Sequence, residues 1–247
     1  MKTVVVGASS GLGRCIAIGL GKRGARVALL ARRKERLADA AEEAGAGAVA
    51  IACDVTEPTS CREAIERAAK ELGGIEALVY STGIGPLRRL VDLDAETWRH
   101  AFATNVTGAA LVTAAAIPHL TAARGVAAYL TSISASLTPP WPGLAAYAVS
   151  KAALDKLVEA WRVEHPAVGF TRVIVGNCAG GQGASMTEFN AGWDPAVAAE
   201  VMPKWVASGY LAGMLEAEEL VRVVDTVLRS GAGASIPSVV VTPRPGA

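Results

Sequence analysis

The chain has almost no net charge: 24 Lys and Arg against 23 Asp and Glu among 247 residues leave +1 at pH 7. Without an excess of either sign it lacks the electrostatic footprint that recruits nucleic acid or an anionic membrane surface. Cysteine is scarce, and the four present (Cys15, Cys53, Cys61 and Cys178) form no CxxC pair and no metal-ligand spacing. That pattern argues against a disulfide framework, suits a reducing compartment and leads us to expect no metal site. No run reaches the roughly 18 apolar residues of a membrane-spanning helix, because Gly, Arg, Lys and Thr interrupt every stretch. The opening Met1-Lys2-Thr3-Val4-Val5-Val6-Gly7 is too short for the apolar region of a secretory signal, so a cytoplasmic protein is expected. Internal repeats, low-complexity tracts and Pro/Ser-rich linkers are missing too, and residues 1–247 read as a single domain.

What the chain does have is apolar residue in quantity, 51% of it, and an apolar excess with no spanning segment belongs to a buried core. Short β-prone runs recur at 3–6, 27–31, 48–52, 77–80, 126–131, 172–175 and 239–242. Each is continuously apolar, which means that both faces of the strand are covered, as in a parallel sheet between helices. Helical periodicity fills the gaps, at 13–22, 34–44, 60–72, 95–120, 152–165 and 217–230. Strand–helix alternation of this kind predicts a doubly wound, Rossmann-like α/β fold: a mainly parallel seven-stranded sheet with helices on both faces. Residues 185–214 break the alternation as a long insertion before the last helix.

After the first strand comes Gly7-Ala8-Ser9-Ser10-Gly11-Leu12-Gly13 and then an apolar helix. Glycines there allow a tight turn and close backbone approach, and a helix N-terminus supplies free N–H groups and a positive dipole, so phosphates belong at this turn. The spacing Gly-x-x-x-Gly-x-Gly differs from the commoner Gly-x-Gly-x-x-Gly. About 20 residues further on, where an acidic side chain would hold the ribose 2′-OH of NAD, stand Arg32 and Arg33. A guanidinium can pair with a 2′-phosphate through two parallel bonds, which favours NADP. Asp54, followed by Val55, closes the third strand; it could accept from the adenine amino group, or serve as a turn or cap residue.

The stretch Tyr147-Ala148-Val149-Ser150-Lys151 precedes a strong helix. Four residues apart on a helix, Tyr147 and Lys151 share a face, where an ammonium would lower the cost of ionising the phenol and let it act near neutral pH. Upstream, Thr131-Ser132-Ile133-Ser134-Ala135-Ser136 follows a buried strand and offers a hydroxyl at its carboxyl end, the edge at which open α/β sheets bind ligands.

With these residues in view the chain resembles the short-chain dehydrogenase/reductase family, in its single-domain branch, from about residue 3 to 175. Gly7, Gly11 and Gly13 match the glycine motif of that family, and Tyr147 and Lys151 match its Tyr-x-x-x-Lys pair. Its serine, thirteen residues before the tyrosine, falls on Ser134, with Ser132 and Ser136 close by; its asparagine falls on Asn105. The resemblance implies that Tyr147 exchanges a proton with a carbonyl or alcohol oxygen as hydride moves to or from NADP(H). It also implies that Lys151 holds the nicotinamide ribose, Ser134 binds the substrate oxygen and Asn105 positions a relay water. Ser9, Ser10, Leu12, Val55 and the loop Ser81-Thr82-Gly83 would complete the cofactor cleft. A homodimer or homotetramer, paired through helices near 95–120 and 152–165, is implied as well.

Two stretches depart from the family. Tyr80-Ser81-Thr82-Gly83 stands where Asn-Asn-Ala-Gly is usual, and Asn177-Cys178-Ala179-Gly180-Gly181-Gln182-Gly183 where Pro-Gly is usual. Beyond the second lie Met186, Phe189, Trp193, Met202, Trp205, Tyr210, Leu211 and Met214. With Trp141, these read as a mobile apolar lid over a substrate that has an apolar part, since aromatic and methionine side chains give adaptable contact area. Packing of a core or subunit interface is the competing reading. Two other functions fit the same scaffold: a non-catalytic module that senses the NADP redox state, and an epimerase or dehydratase using bound cofactor.

Overall fold

The computed structural model describes residues 1–244. Its centre is one seven-stranded sheet in the order β3-β2-β1-β4-β5-β6-β7, and every pairing is parallel. The strands are β1 (Lys2–Val6), β2 (Arg26–Ala31), β3 (Val49–Ala52), β4 (Ala77–Tyr80), β5 (Val126–Ser132), β6 (Gly169–Val175) and β7 (Ser238–Val241). β4 and β5 are buried along their whole length, while β7 at the edge exposes alternate residues, as continuous and interrupted apolar runs should.

Helices cover both faces. α1 (Gly11–Lys22), α2 (Lys34–Ala44) and α9 (Ala217–Arg229) bury residues such as Ile16, Leu37 and Leu220 against one face of the sheet. α3 (Pro58–Leu72), α5 (Gly108–Ala123) and α7 (Ala145–Glu164) bury Ile65, Val112 and Leu154 on the other. Between β1 and β4 the strand order reverses, which opens a crevice at the carboxyl edge of the sheet, the place where such folds bind ligands.

Three local findings differ from the sequence expectation. α7 begins seven residues earlier than its periodicity suggests, so Tyr147 and Lys151 both lie inside its first turns. The helical stretch near 95–120 is composite: α4 (Ala95–Phe102), a π-helical turn at Ala103–Thr107, then α5. Taken whole, Ala95–Ala123 is long and apolar enough to cross a membrane by length and composition, with a third of its richest window buried. The insertion is not a loose flap. α8 (Pro195–Ala207) packs Val197, Val201 and Trp205 against Leu87 and Leu144, forming a third small core outside the sheet.

Candidate active site

Glycine builds the first wall of the crevice. Gly7 has φ +89°, and a Cβ there would stand 2.8 Å from the Thr82 amide nitrogen; at Gly13 it would stand 2.3 Å from the Gly7 carbonyl and from Ser81 Oγ. Only a bare backbone lets α1 approach β1 and β4 this closely. Ser10, at the N-cap of α1, makes no capping bond, so the amides of the first turn remain available to an anion, apart from the Gly11 N–H, which donates to the Met186 carbonyl at 3.2 Å. The Ser10 hydroxyl instead accepts from Arg33 Nη2 at 2.8 Å, and Ser9 Oγ accepts from the same guanidinium at 2.8 and 3.2 Å. Arg33 is thereby aimed at the turn from the N-cap position of α2, a place where the helix dipole disfavours a cation. Arg32 lines the cleft beside it.

Asp54 also lines the cleft, but its carboxylate accepts from the Thr56 amide at 3.0 Å and from the Thr56 hydroxyl at 2.7 Å. Those bonds, the backbone one foremost, hold its carboxyl below the usual carboxylate range. It serves as a turn residue on the wall of the cleft.

The loop after β4 lacks amide side chains and is held by other means. Ser81 Oγ donates to the Val6 carbonyl at 2.5 Å, and the Tyr80 phenol donates to the Thr104 carbonyl at 2.6 Å. Asn105 does the rest. Fully buried in the π-helical turn, it donates from Nδ2 to the Ile84 carbonyl (2.9 Å) and to Ser150 Oγ (2.8 Å), and accepts the Ile84 amide on Oδ1 (2.9 Å). The widened turn swings this side chain out of the helix toward the loop. Asn105 is not among the residues lining the cleft; its side chain staples the β4 loop to α7, so it acts as a positioning residue. Asn105→Ala leaves both part-buried backbone groups of Ile84 without their side-chain partner, and we expect a loss of about 1–3 kcal/mol in denaturant unfolding together with weaker dinucleotide binding.

Tyr147, partly buried, points into a cavity of about 880 Å³ that runs from Arg33 past Gly7 to Trp205. Burial pushes its phenol up to about 12, against an easing influence of the Ser132 hydroxyl. Lys151 is 4% exposed, donates from Nζ to the Leu130 carbonyl at 2.8 Å and lies 5.8 Å from the centre of the Tyr147 ring. Burial lowers its ammonium to about 8, offset in part by the Asp155 carboxylate one turn along. The expected depression of the phenol by the lysine is therefore not what this geometry gives. The ammonium is engaged by a backbone carbonyl, and desolvation dominates both groups.

Ser134 lines the cavity, and so does Ser132; their hydroxyls are 2.9 Å apart. Ser132, the last residue of β5, is the one beside the Tyr147 phenol, whereas Ser136 lies toward Asp155, away from the cavity. Ser134, the position that spacing along the chain selected, lies in α6 (Ile133–Ser136) and shares the cavity with Ser132.

A chain of aromatic rings forms the remaining wall. Tyr147 meets Phe189 edge-on at 4.9 Å, Phe189 meets Trp193 at 5.7 Å, Trp193 meets Trp205 at 5.8 Å, and Trp205 meets Trp141 at 5.4 Å. Trp193 Nε1 donates to the Gly85 carbonyl and Trp205 Nε1 to the Pro142 carbonyl, which fixes both indoles. Met186 does not join them: its side chain is 58% exposed and only its backbone meets the cleft. Glu188 went unnoticed in the sequence, where a lone acid in an irregular loop gives no signal, yet its carboxylate pairs with Arg33 and Arg36 across the cleft mouth.

Comparison with known proteins agrees with this geometry. The chain is 34% identical over 179 residues to 11-beta-hydroxysteroid dehydrogenase A of Sesamum indicum, covering 70% of this chain and 51% of that protein. It is 36% identical over 165 residues to an uncharacterized oxidoreductase of Myxococcus xanthus, covering 65% and 64%. It thus spans about half to two thirds of the length of the curated relatives it matches. A short-chain type dehydrogenase/reductase from Mycobacterium marinum superposes with a TM-score of 0.83 at 27% identity, over 97% of this chain and 93% of that one. The profile of the short chain dehydrogenases matches residues 2–194, and this protein belongs to the short-chain dehydrogenase/reductase family of oxidoreductases.

Proposed function

We propose that the protein is an NADP(H)-dependent oxidoreductase that interconverts a carbonyl and an alcohol on a substrate with an apolar body, with Tyr147 as the proton-transfer group. The observation that carries this reading is that Tyr147, Lys151 and Ser132 open onto one cavity with the glycine turn of α1. The close approach at Gly7 and Gly13 fits a dinucleotide pyrophosphate, and Ser9, Ser10, Arg32 and Arg33 suit its adenosine end. When bound, the nicotinamide supplies the hydride.

The protein's part is proton handling and orientation. With its phenol raised to about 12, Tyr147 is protonated at neutral pH, the form a general acid needs. It gives its proton to the substrate oxygen as negative charge develops there. Lys151, lowered to about 8 and still mostly charged at pH 7, would hold the nicotinamide ribose beside the phenol. Ser132 and Ser134 hold the substrate oxygen beside the phenol. In the alcohol-oxidising direction the same groups run in reverse. Trp141, Trp193 and Trp205 offer an apolar wall of mutually tilted rings, and similarity to a protein named 11-beta-hydroxysteroid dehydrogenase favours a ketone or secondary alcohol on a ring framework. Residues 185–214 act as the substrate lid of a single domain, two or four copies pair through α5 and α7, and a cytoplasmic setting keeps the four free thiols reduced.

A panel of apolar ketones assayed by NADPH absorbance tests the activity; no oxidation with any member, for a protein that binds NADPH, counts against it. Cofactor choice has its own test. Arg33→Ala removes the guanidinium held by Ser9 and Ser10, and NADPH affinity should fall roughly 10- to 100-fold while NADH affinity does not fall. Equal weakening for both in a calorimetric titration would overturn the NADP assignment.

A further inference from the structure

Four consecutive residues, Met186 to Phe189, lie along the cleft, each on a group that a dinucleotide and substrate would need. The Met186 carbonyl accepts the Gly11 N–H at the start of α1, where a pyrophosphate oxygen would sit. Thr187, whose amide donates to the Ala179 carbonyl at 2.9 Å, rests flat on Gly11: a Cβ built there would stand 3.5 Å from its Cα. The Glu188 carboxylate takes Arg33, one of the two cations assigned to a 2′-phosphate, and Arg36 beside it. The Phe189 ring covers Tyr147 and comes so close to Gly85 that no side chain would fit between them.

A carbonyl, a carboxylate and an aromatic ring thus stand in order at the sites for pyrophosphate, 2′-phosphate and the reacting ring. We propose that residues 186–189 form an internal strap that occupies the dinucleotide cleft, latched by Glu188, and that it must be displaced before either cofactor binds. This rests on the reading of the cleft as a dinucleotide site. Displacement clears Phe189 from Tyr147, so cofactor binds before substrate, and Glu188 sets a cost that every dinucleotide meets on entry. The latch is matched to NADP, whose 2′-phosphate gives Arg33 a replacement partner that NAD lacks.

The strap is anchored on both sides: Gly181 N–H donates to Ser185 O at 2.9 Å, and Trp193 Nε1 donates to Gly85 O at 2.8 Å. Of the contacts within it, Glu188 supplies the only charged ones among the described residues, and both of its partners are themselves about two-fifths exposed. Neutralising it loosens the strap without touching the core.

Glu188→Gln, titrated calorimetrically with NADPH and with NADH, tests the latch. Two partly exposed ion pairs are worth enough that both cofactors should tighten by the same factor, about 3- to 10-fold, as the cost of opening falls. Amide exchange across residues 183–193 in the variant without dinucleotide should accelerate relative to the wild type. Unchanged affinities, or tightening confined to NADPH, overturn the strap; in the second case Glu188 merely repels the 2′-phosphate. Equal wild-type affinity for the two cofactors with joint tightening in the variant upholds the strap and overturns the NADP assignment alone. Failure of the wild type to bind either dinucleotide overturns the functional reading beneath both.

Discussion

Tyr147→Phe should reduce the rate of carbonyl reduction by about 10²–10⁴-fold, the contribution expected of a positioned general acid. The change removes one oxygen and keeps the ring, so the edge-on contact with Phe189 at 4.9 Å and the packing of the aromatic wall survive. The phenol makes no hydrogen bond that holds the backbone, and thermal stability should be unaltered within about 0.5 kcal/mol. NADPH affinity should hold as well, since the glycine turn and Arg33 are elsewhere. A pre-steady-state measurement of nicotinamide oxidation isolates the chemical step. Wild-type rates in that step would mean that another donor serves, and Ser132, beside the phenol, would be the first to examine.

Lys151→Met should do something less usual: abolish activity while stabilising the fold. Lys151 is buried with one backbone acceptor, and its ammonium is lowered from 10.5 to about 8 by desolvation. A lysine whose folded value lies below its unfolded value costs stability at every pH below the folded value, and the cost disappears as pH rises past the unfolded one. A difference of that size corresponds to about 3 kcal/mol at neutral pH. Methionine fills the same space without charge, although the Leu130 carbonyl loses its donor and Asp155 its nearby cation, which together return about 1–2 kcal/mol. A net gain of about 1–2 kcal/mol should raise Tm by roughly 2–6 °C at pH 7, and the gain should shrink as pH climbs from 8 to above 10. Under the proposed mechanism the ammonium holds the nicotinamide ribose, so kcat should fall and dinucleotide affinity with it. A Tm lower than wild type at pH 7 would show that Lys151 is stabilised by its surroundings and not merely tolerated.

The pairing of inactivation with stabilisation has a physical basis. Burying an ammonium costs desolvation free energy, and the charge this places at the cleft is one that the proposed chemistry would use. The fold accommodates it on α7, a twenty-residue helix whose other buried positions are apolar or small, apart from Ser150 and Asp155.

Much of the molecule was legible from residues alone. The seven strands could be read because continuous apolar runs flanked by helical periodicity leave few other arrangements, and β4 and α2 fall where they were expected, residue for residue. The glycine turn was legible because bare backbone between a strand and a helix has few uses, and Tyr147 with Lys151 because four residues on a helix bring two side chains to one face. The start of α7 was missed because Ala145, Ala146 and Ala148 form helix well without an amphipathic pattern, and Leu144 provides no side-chain cap to mark the boundary.

What the sequence by itself determined is therefore what short-range chemistry encodes: strand and helix type, the glycine turn, and the one-turn spacing of phenol and ammonium. Only the tertiary structure decided which partners these groups meet. Ser132 stands at the phenol because β5 ends opposite α7; Asn105 turns toward Ile84 because a π-helical turn redirects it; Glu188 reaches Arg33 across a separation of 155 residues. Periodicity and turn chemistry are properties of a few neighbouring residues, whereas the orientation of a side chain toward a distant partner is set by how whole elements pack, and no local pattern carries that information.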